Sequence, residues 1–128
     1  MSELRIDLDG GRNAFAPGET LAVRVAWHLA SPPKRLELRL FWYTEGKGTQ
    51  DVEIVERHPL EGGAFGEQRV SLRAPSGPYS FSGRLISLLW ALEAVAEPGG
   101  EVARREIVLS PSGEEVRLDA PGAARDPV

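Results

Sequence analysis

Leu36, Leu38, Leu40 and Trp42 alternate with Glu37, Arg39, Phe41 and Tyr43. A period of two in side-chain direction suits a half-buried β-strand and does not suit a helix, whose faces repeat every 3.6 residues. The same alternation appears upstream, where Leu21, Val23, Val25 and Trp27 interleave with Ala22, Arg24, Ala26 and His28. Pro17-Gly18-Glu19-Thr20 supplies a turn before that segment. Ser31-Pro32-Pro33 separates the two, because consecutive prolines offer no ladder donors. Leu4 with Ile6 and Leu8, Val52 with Ile54, Val70 with Leu72, and Ala103 with Arg105, Ile107 and Leu109 mark further strands. Turn chemistry bounds them at Glu45-Gly46-Lys47-Gly48, His58-Pro59, Gly62-Gly63 and Pro98-Gly99-Gly100.

Residues 85–96 are open to two readings. Leu85, Leu88, Leu89, Leu92 and Val95 fit helical spacing, and most residues there are good helix formers. Strand is favoured, since every flanking element is strand-like with short links and a central sandwich strand reads as a near-continuous apolar run. The turn-rich stretch 74–84 then becomes the crossover leading into it. About seven short strands imply an all-β, antiparallel β-sandwich. Its expected core is Leu21, Val23, Val25, Trp27, Leu36, Leu38, Leu40, Trp42, Val70, Leu72, Ile86, Leu88, Trp90, Leu92 and Ile107. Residues 1–110 are expected to form this domain. In the C-terminal extension, 111–128, residues 114–118 would add a short edge strand, and 121–128 would fray into a disordered tail.

With 128 residues, 41% of them hydrophobic, the chain is long enough to bury an independent core. A net charge of −4 opposes a nucleic-acid role, because phosphate binding depends on clustered Lys and Arg. The longest apolar stretch is broken by Ser87 and Glu93 and falls short of the roughly 20 residues a membrane span needs. The first residues lack the basic start and apolar core of a secretory signal, so cytoplasmic residence is the default expectation.

Without cysteine there are no disulfides, thiolate metal sites or thiol nucleophiles. His28 and His58 are the only histidines, and Glu56, two residues from His58 on the same strand face, is too little company for a metal site. No Gly-x-Ser-x-Gly elbow is present, and Glu114-Glu115 reads as solvated. Gly62-Gly63 and Gly99-Gly100 lack phosphate-loop spacing and read as hairpin turns. No catalytic residue, metal or cofactor is expected.

Phe15-Ala16-Pro17-Gly18-Glu19-Thr20-Leu21, entering an alternating strand, resembles the first half of an arrestin-type domain. Val70-Ser71-Leu72-Arg73-Ala74-Pro75, a proline-containing link, and Gly83 through Leu92 with Trp90 resemble its second half. The resemblance covers roughly residues 4–110. It implies an immunoglobulin-like, arrestin-like β-sandwich without an inter-sheet disulfide and a non-catalytic scaffold or adaptor that binds another protein. Arrestins, the related retromer subunit and the bacterial sporulation-control relatives use two such sandwiches in tandem, whereas this length accommodates one. Properties of a groove between two domains are therefore not carried over.

The outward series Arg39, Phe41 and Tyr43 has the composition of an interaction hot spot, with Arg24 and His28 extending it if the two alternating strands pair. The competing reading is that this face is covered. Tyr79 is a further partner-binding candidate; the competing reading makes its loop a crossover in which Phe81 plugs the core. The expected function is protein binding or assembly, through sheet edges or a homodimer. The alternative is a small-ligand or carbohydrate-binding sandwich, which needs at least one of Trp27, Trp42 and Trp90 to face solvent.

Overall fold

Both alternating segments become strands, but they lie in different sheets. The computed structural model describes residues 2–48, 50–111 and 116–117. Its strands are β1 (Glu3–Leu8), β2 (Ala14–Phe15), β3 (Thr20–His28), β4 (Arg35–Gly46), β5 (Val52–Pro59), β6 (Phe65–Arg73), β7 (Phe81–Ser82), β8 (Ile86–Glu97), β9 (Glu101–Leu109) and β10 (Val116–Arg117). The smaller sheet has the order β1-β3-β6. The larger runs β10-β7-β8-β4-β5, with β9 also on β8 and β2 on β9. Every long pairing is antiparallel, and only the two-residue strands β2 and β10 pair parallel.

Residues 86–96 belong to the central strand of the larger sheet and Leu85 lies just before it, which resolves the ambiguity of their apolar run. β8 pairs with β4 along its whole length, from Arg35↔Glu97 to Gly46↔Ile86, and with β7 and β9 on its other side. Leu88, Trp90, Leu92, Ala94 and Ala96 point into the core between the sheets, while Ala91 and Val95 are buried on the opposite face. A strand covered on both faces has no polar series, so its sequence loses the period of two and imitates a helix.

Four expectations are corrected. Residues 29–34 cross from the smaller sheet to the larger, so β3 pairs with β1 and β6, and Arg24 and His28 cannot extend the β4 face. Gly62-Gly63 is likewise a crossing from β5 to β6 instead of a hairpin, whereas Gly99-Gly100 does turn the β8–β9 hairpin, both residues at positive φ. Ile86 is 39% exposed, because it sits at the very start of β8 where cover is incomplete. Trp42 is only partly buried at the margin of the core. The core also takes in Ile6, Leu8, Phe15, Leu29, Leu60, Ala74 and Leu109, several of them just outside regular alternation.

The 74–80 stretch does cross between sheets. The indole N–H of Trp90 donates to the Pro78 carbonyl at 2.6 Å, and Ser80 is tied to Leu109 by two hydrogen bonds, Ser80 N–H to Leu109 O and Leu109 N–H to Ser80 Oγ. Phe81 packs against the core as expected. Val116–Arg117 pairs with Phe81–Ser82. The remainder of the expected 114–118 strand and the expected frayed tail at 121–128 lie outside the described residues.

Candidate functional site

The outer face of the larger sheet gathers the one concentration of charge and aromatic surface that the sequence singled out. Register sets its rows. Arg39 stands opposite Arg57 on β5 and Glu93 on β8, and Glu93 stands opposite Arg104 on β9. In the next row Phe41 lies between Ile54 and Ala91, and in the next Tyr43 lies between Val52 and Leu89. A bulge between Leu40 and Phe41 leaves Val55 as the extra residue of β5, bringing both Arg57 and Ile54 onto this face.

The charges form a chain. Glu37 accepts hydrogen bonds from Arg39 Nε and, at 3.1 Å, from Arg57 Nη1. Glu93 accepts one from Arg104 Nη2 at 3.2 Å and stands 3.8 Å from Arg39 Nη1. Arg104 then reaches back over the aromatics, its guanidinium carbon 5.1 Å from the Phe41 ring centroid and 5.5 Å from that of Tyr43. The two rings stack at 5.8 Å with an interplanar angle of 29°. Such a guanidinium neutralises a carboxylate at one edge and packs on a π-face at the other, a geometry that Lys could not reproduce.

Phe41 is consequently only 5% exposed, so the covered reading holds for that ring. Tyr43 and Arg39 remain partly accessible, and with Gln50, Val52 and Ile54 they line an open groove of ≈ 470 Å³. Burial, together with the nearby charges of Glu106 and Glu45, raises the Tyr43 pKa above its ordinary value. Its hydroxyl therefore stays a neutral donor at physiological pH.

For Glu37, burial by itself would raise the pKa, but the hydrogen bonds and charges of Arg39 and then Arg57 outweigh it and hold the carboxyl below its ordinary value. A folded-state pKa below the unfolded one contributes stability above the ordinary Glu value of about 4.3, which is lost as pH falls through the folded-state value. Glu37→Gln should therefore be less stable than wild type at pH 7, and the gap should close below about pH 4 in urea titrations run across pH. A gap that stays constant with pH would remove Glu37 from the network.

The structure brings Arg39, Phe41 and Tyr43 together and leaves Tyr79 out. Tyr79, 41% exposed, sits in the 74–80 crossover and does not line the groove. Sequence reasoning missed Arg104 and Glu93. Arg104 was readable as outward-facing from its alternation with Ala103 and Arg105, but its place beside Phe41 depends on the β4-β8-β9 order, which no local pattern carries. Trp27 and Trp90 are buried and Trp42 is half-buried against the core, so none offers an open platform for a sugar ring. His58 Nε2 and Glu56 Oε1 are 2.8 Å apart, and no cluster of three metal-ligating side chains occurs among the described residues.

No family model matches the chain, and no curated protein matches it. Among solved structures it is similar to Spo0M, a sporulation control protein from Bacillus subtilis, with a TM-score of 0.63 over 85% of this chain. The fold is arrestin-like. At 14% identity the likeness extends to the fold alone, and the chain spans about half, 49%, of the Spo0M chain. No helix among the described residues is long and apolar enough to cross a membrane.

Proposed function

We propose that the chain is a non-catalytic protein-binding or assembly module whose recognition surface is the groove between β5 and the Arg104-capped aromatics. The observation that carries this reading is the Arg57–Glu37–Arg39–Glu93–Arg104 chain lying against Phe41 and Tyr43. Its carboxylates are covered, with 12% and 15% side-chain exposure, while Arg57 and Arg104 are half exposed. The surface on offer is thus guanidinium beside an apolar shelf of Tyr43, Val52 and Ile54. A partner segment presenting an apolar side chain flanked by a carboxylate complements it, and Arg with Tyr is the pairing that dominates many interfaces. The fold likeness to a protein named for control of sporulation supports a regulatory or adaptor role.

Recognition at this place relies on side chains more than on strand addition. β5 is an edge strand, but it ends in Pro59, carries a bulge, and turns Glu56 and His58 toward the inner series of β4 opposite Leu40 and Leu38. These are devices that blunt an edge. Affinity capture from the native cell tests the reading. Wild type and Tyr79→Ala should retain the same protein, and a Tyr43→Ala/Arg104→Glu variant with unchanged circular dichroism should lose it. Equal retention by the groove variant, or an empty capture with wild type, would overturn the proposal.

A further inference from the structure

We infer that the free edge of β6 pairs antiparallel with β6 of a second copy, across a two-fold axis at Gln68. The inference rests on the assembly half of the reading above and names the surface that performs it. β6 is nine residues long, contains neither proline nor a bulge, and pairs only with β3 among the described residues. The other long edges are managed: that of β9 holds β2 at Val108 and Leu109 and lies against β1, which Arg105 reaches. β5 is blunted as described, and on β1 the edge-facing carbonyl of Ile6 is occupied by Arg105 Nη2 at 2.8 Å.

Backbone direction decides which residues could pair. Ala74 N–H donates to Glu19 O, and Ala64 O accepts from Leu29 N–H, so the even-numbered residues of β6 turn their backbone groups to β3. The N–H and C=O groups of Phe65, Glu67, Arg69, Ser71 and Arg73 therefore face the open edge. Two such edges can hydrogen-bond only in registers that set odd residues opposite odd ones.

Charge selects among those registers. With the axis at Gln68, Glu67 faces Arg69 of the second copy, and Arg69 faces its Glu67. A slip of two residues in either sense puts Glu67 on Glu67 or Arg69 on Arg69 at the axis, where like charges directly opposite destabilise. The isolated chain already shows the unmet half of this arrangement. Arg69 stands directly opposite Arg24 in the β3–β6 register; Arg24 has Asp7 and Glu67 as ion partners, while Arg69 is 71% exposed with Asp9 at 3.9 Å. A second copy completes the row as Asp7, Arg24, Arg69 and then its own Glu67.

Shape agrees with charge. Phe65 is 73% exposed and is held edge-on to His28 at 6.0 Å. In the same register it faces Ser71 of the second copy, whose strand neighbour is Ala22. A large apolar ring is thus laid on a shelf of two small residues. The result is an isologous interface: a continuous six-stranded sheet with about eight backbone hydrogen bonds between the two β6 strands.

Sedimentation equilibrium of the full chain at concentrations up to about 100 μM tests this. Wild type should dimerise. Arg69→Glu removes the like-charge contact with Arg24 inside the chain, so the monomer should melt no lower than wild type, yet it sets the new carboxylate against Glu67 of the second copy at two symmetry-related places. Dimerisation should weaken about thirty-fold. The double variant Glu67→Arg/Arg69→Glu restores opposite charges across the axis and should return dimerisation to within about threefold of wild type. A wild type that stays monomeric throughout, or an Arg69→Glu variant that dimerises as wild type does, would overturn the β6 interface. Either result leaves the groove-dependent capture untouched, so failure of the dimer and failure of the binding-module reading are told apart.

Discussion

Trp90→Ala is expected to lower the unfolding free energy by about 3–5 kcal/mol, the largest loss from any single truncation in the molecule. Trp90 is 0% exposed and the largest of the fully buried side chains. It lies on the central strand, with Trp42 opposite on β4 and Ile107 opposite on β9. Truncation removes its apolar contacts and leaves a cavity that both sheets would have to close. It also strips the Pro78 carbonyl of its indole donor, which releases one of the crossovers that join the smaller sheet to the larger. A domain of this size has roughly 5–15 kcal/mol to lose, so the variant should fold marginally, with a Tm lower by about 10–20 °C. Trp90→Phe separates the two contributions, since it keeps most of the volume but cannot donate to Pro78, and about 1–2 kcal/mol should be lost. Thermal and urea unfolding give both numbers. A Phe variant as unstable as the Ala variant would mean that the Pro78 tie outweighs core volume.

What could be read from the chain, and what could not, follows from the range of each signal. Side-chain parity is local, so the inward series of β3 and β4 and the outward placement of Arg39 and Tyr43 were legible residue by residue. Strand adjacency is not local. β3 and β4 are consecutive in sequence, and the proline pair between them reads as a break, but nothing in it distinguishes a hairpin from a crossing between sheets. That difference moved Arg24 and His28 from the groove to the far side of the sandwich. Phe41 shows the same limit in one side chain: its parity was right, while its burial depended on Arg104, far away in the sequence on β9. β8 is the opposite case, where a local pattern failed because both faces are covered, and the strand-like neighbourhood supplied the answer.

The sheet edges connect these points to assembly. Of the four long edges, those of β1 and β5 carry features that discourage further pairing, that of β9 holds β2 at its end and lies against β1, and β6 carries a charge order that is complementary to itself. The groove and the β6 edge lie on different sheets, so a dimer built through β6 would leave both grooves open. Such a dimer would be bivalent, able to hold two partner segments at once with the gain in effective concentration that pairing provides.

Gly62→Ala should cost about 2–4 kcal/mol while Gly63→Ala, one residue further on, should stay within about 0.5 kcal/mol of wild type. Trp27 is the reason for the contrast. Its ring is 4% exposed, its indole N–H donates to the Gly63 carbonyl at 3.1 Å, and it lies against the crossing from β5 to β6. A Cβ on Gly62 would stand 2.7 Å from Trp27 Cζ2, on a backbone whose φ of +154° already disfavours an L side chain. On Gly63 the same atom meets nothing within 4 Å, and the backbone carbonyl that Trp27 uses is unaffected. Gly66 repeats the first situation at 2.9 Å on β6 itself, so Gly66→Ala should fall between the two. Because the ring cannot retreat without breaking its hydrogen bond, the damage should appear as a red shift and increased iodide quenching of tryptophan fluorescence in Gly62→Ala, alongside the lower urea midpoint. Equal losses at Gly62 and Gly63 would instead point to a general need for chain flexibility in this crossing, and the fit around Trp27 would no longer account for its two glycines.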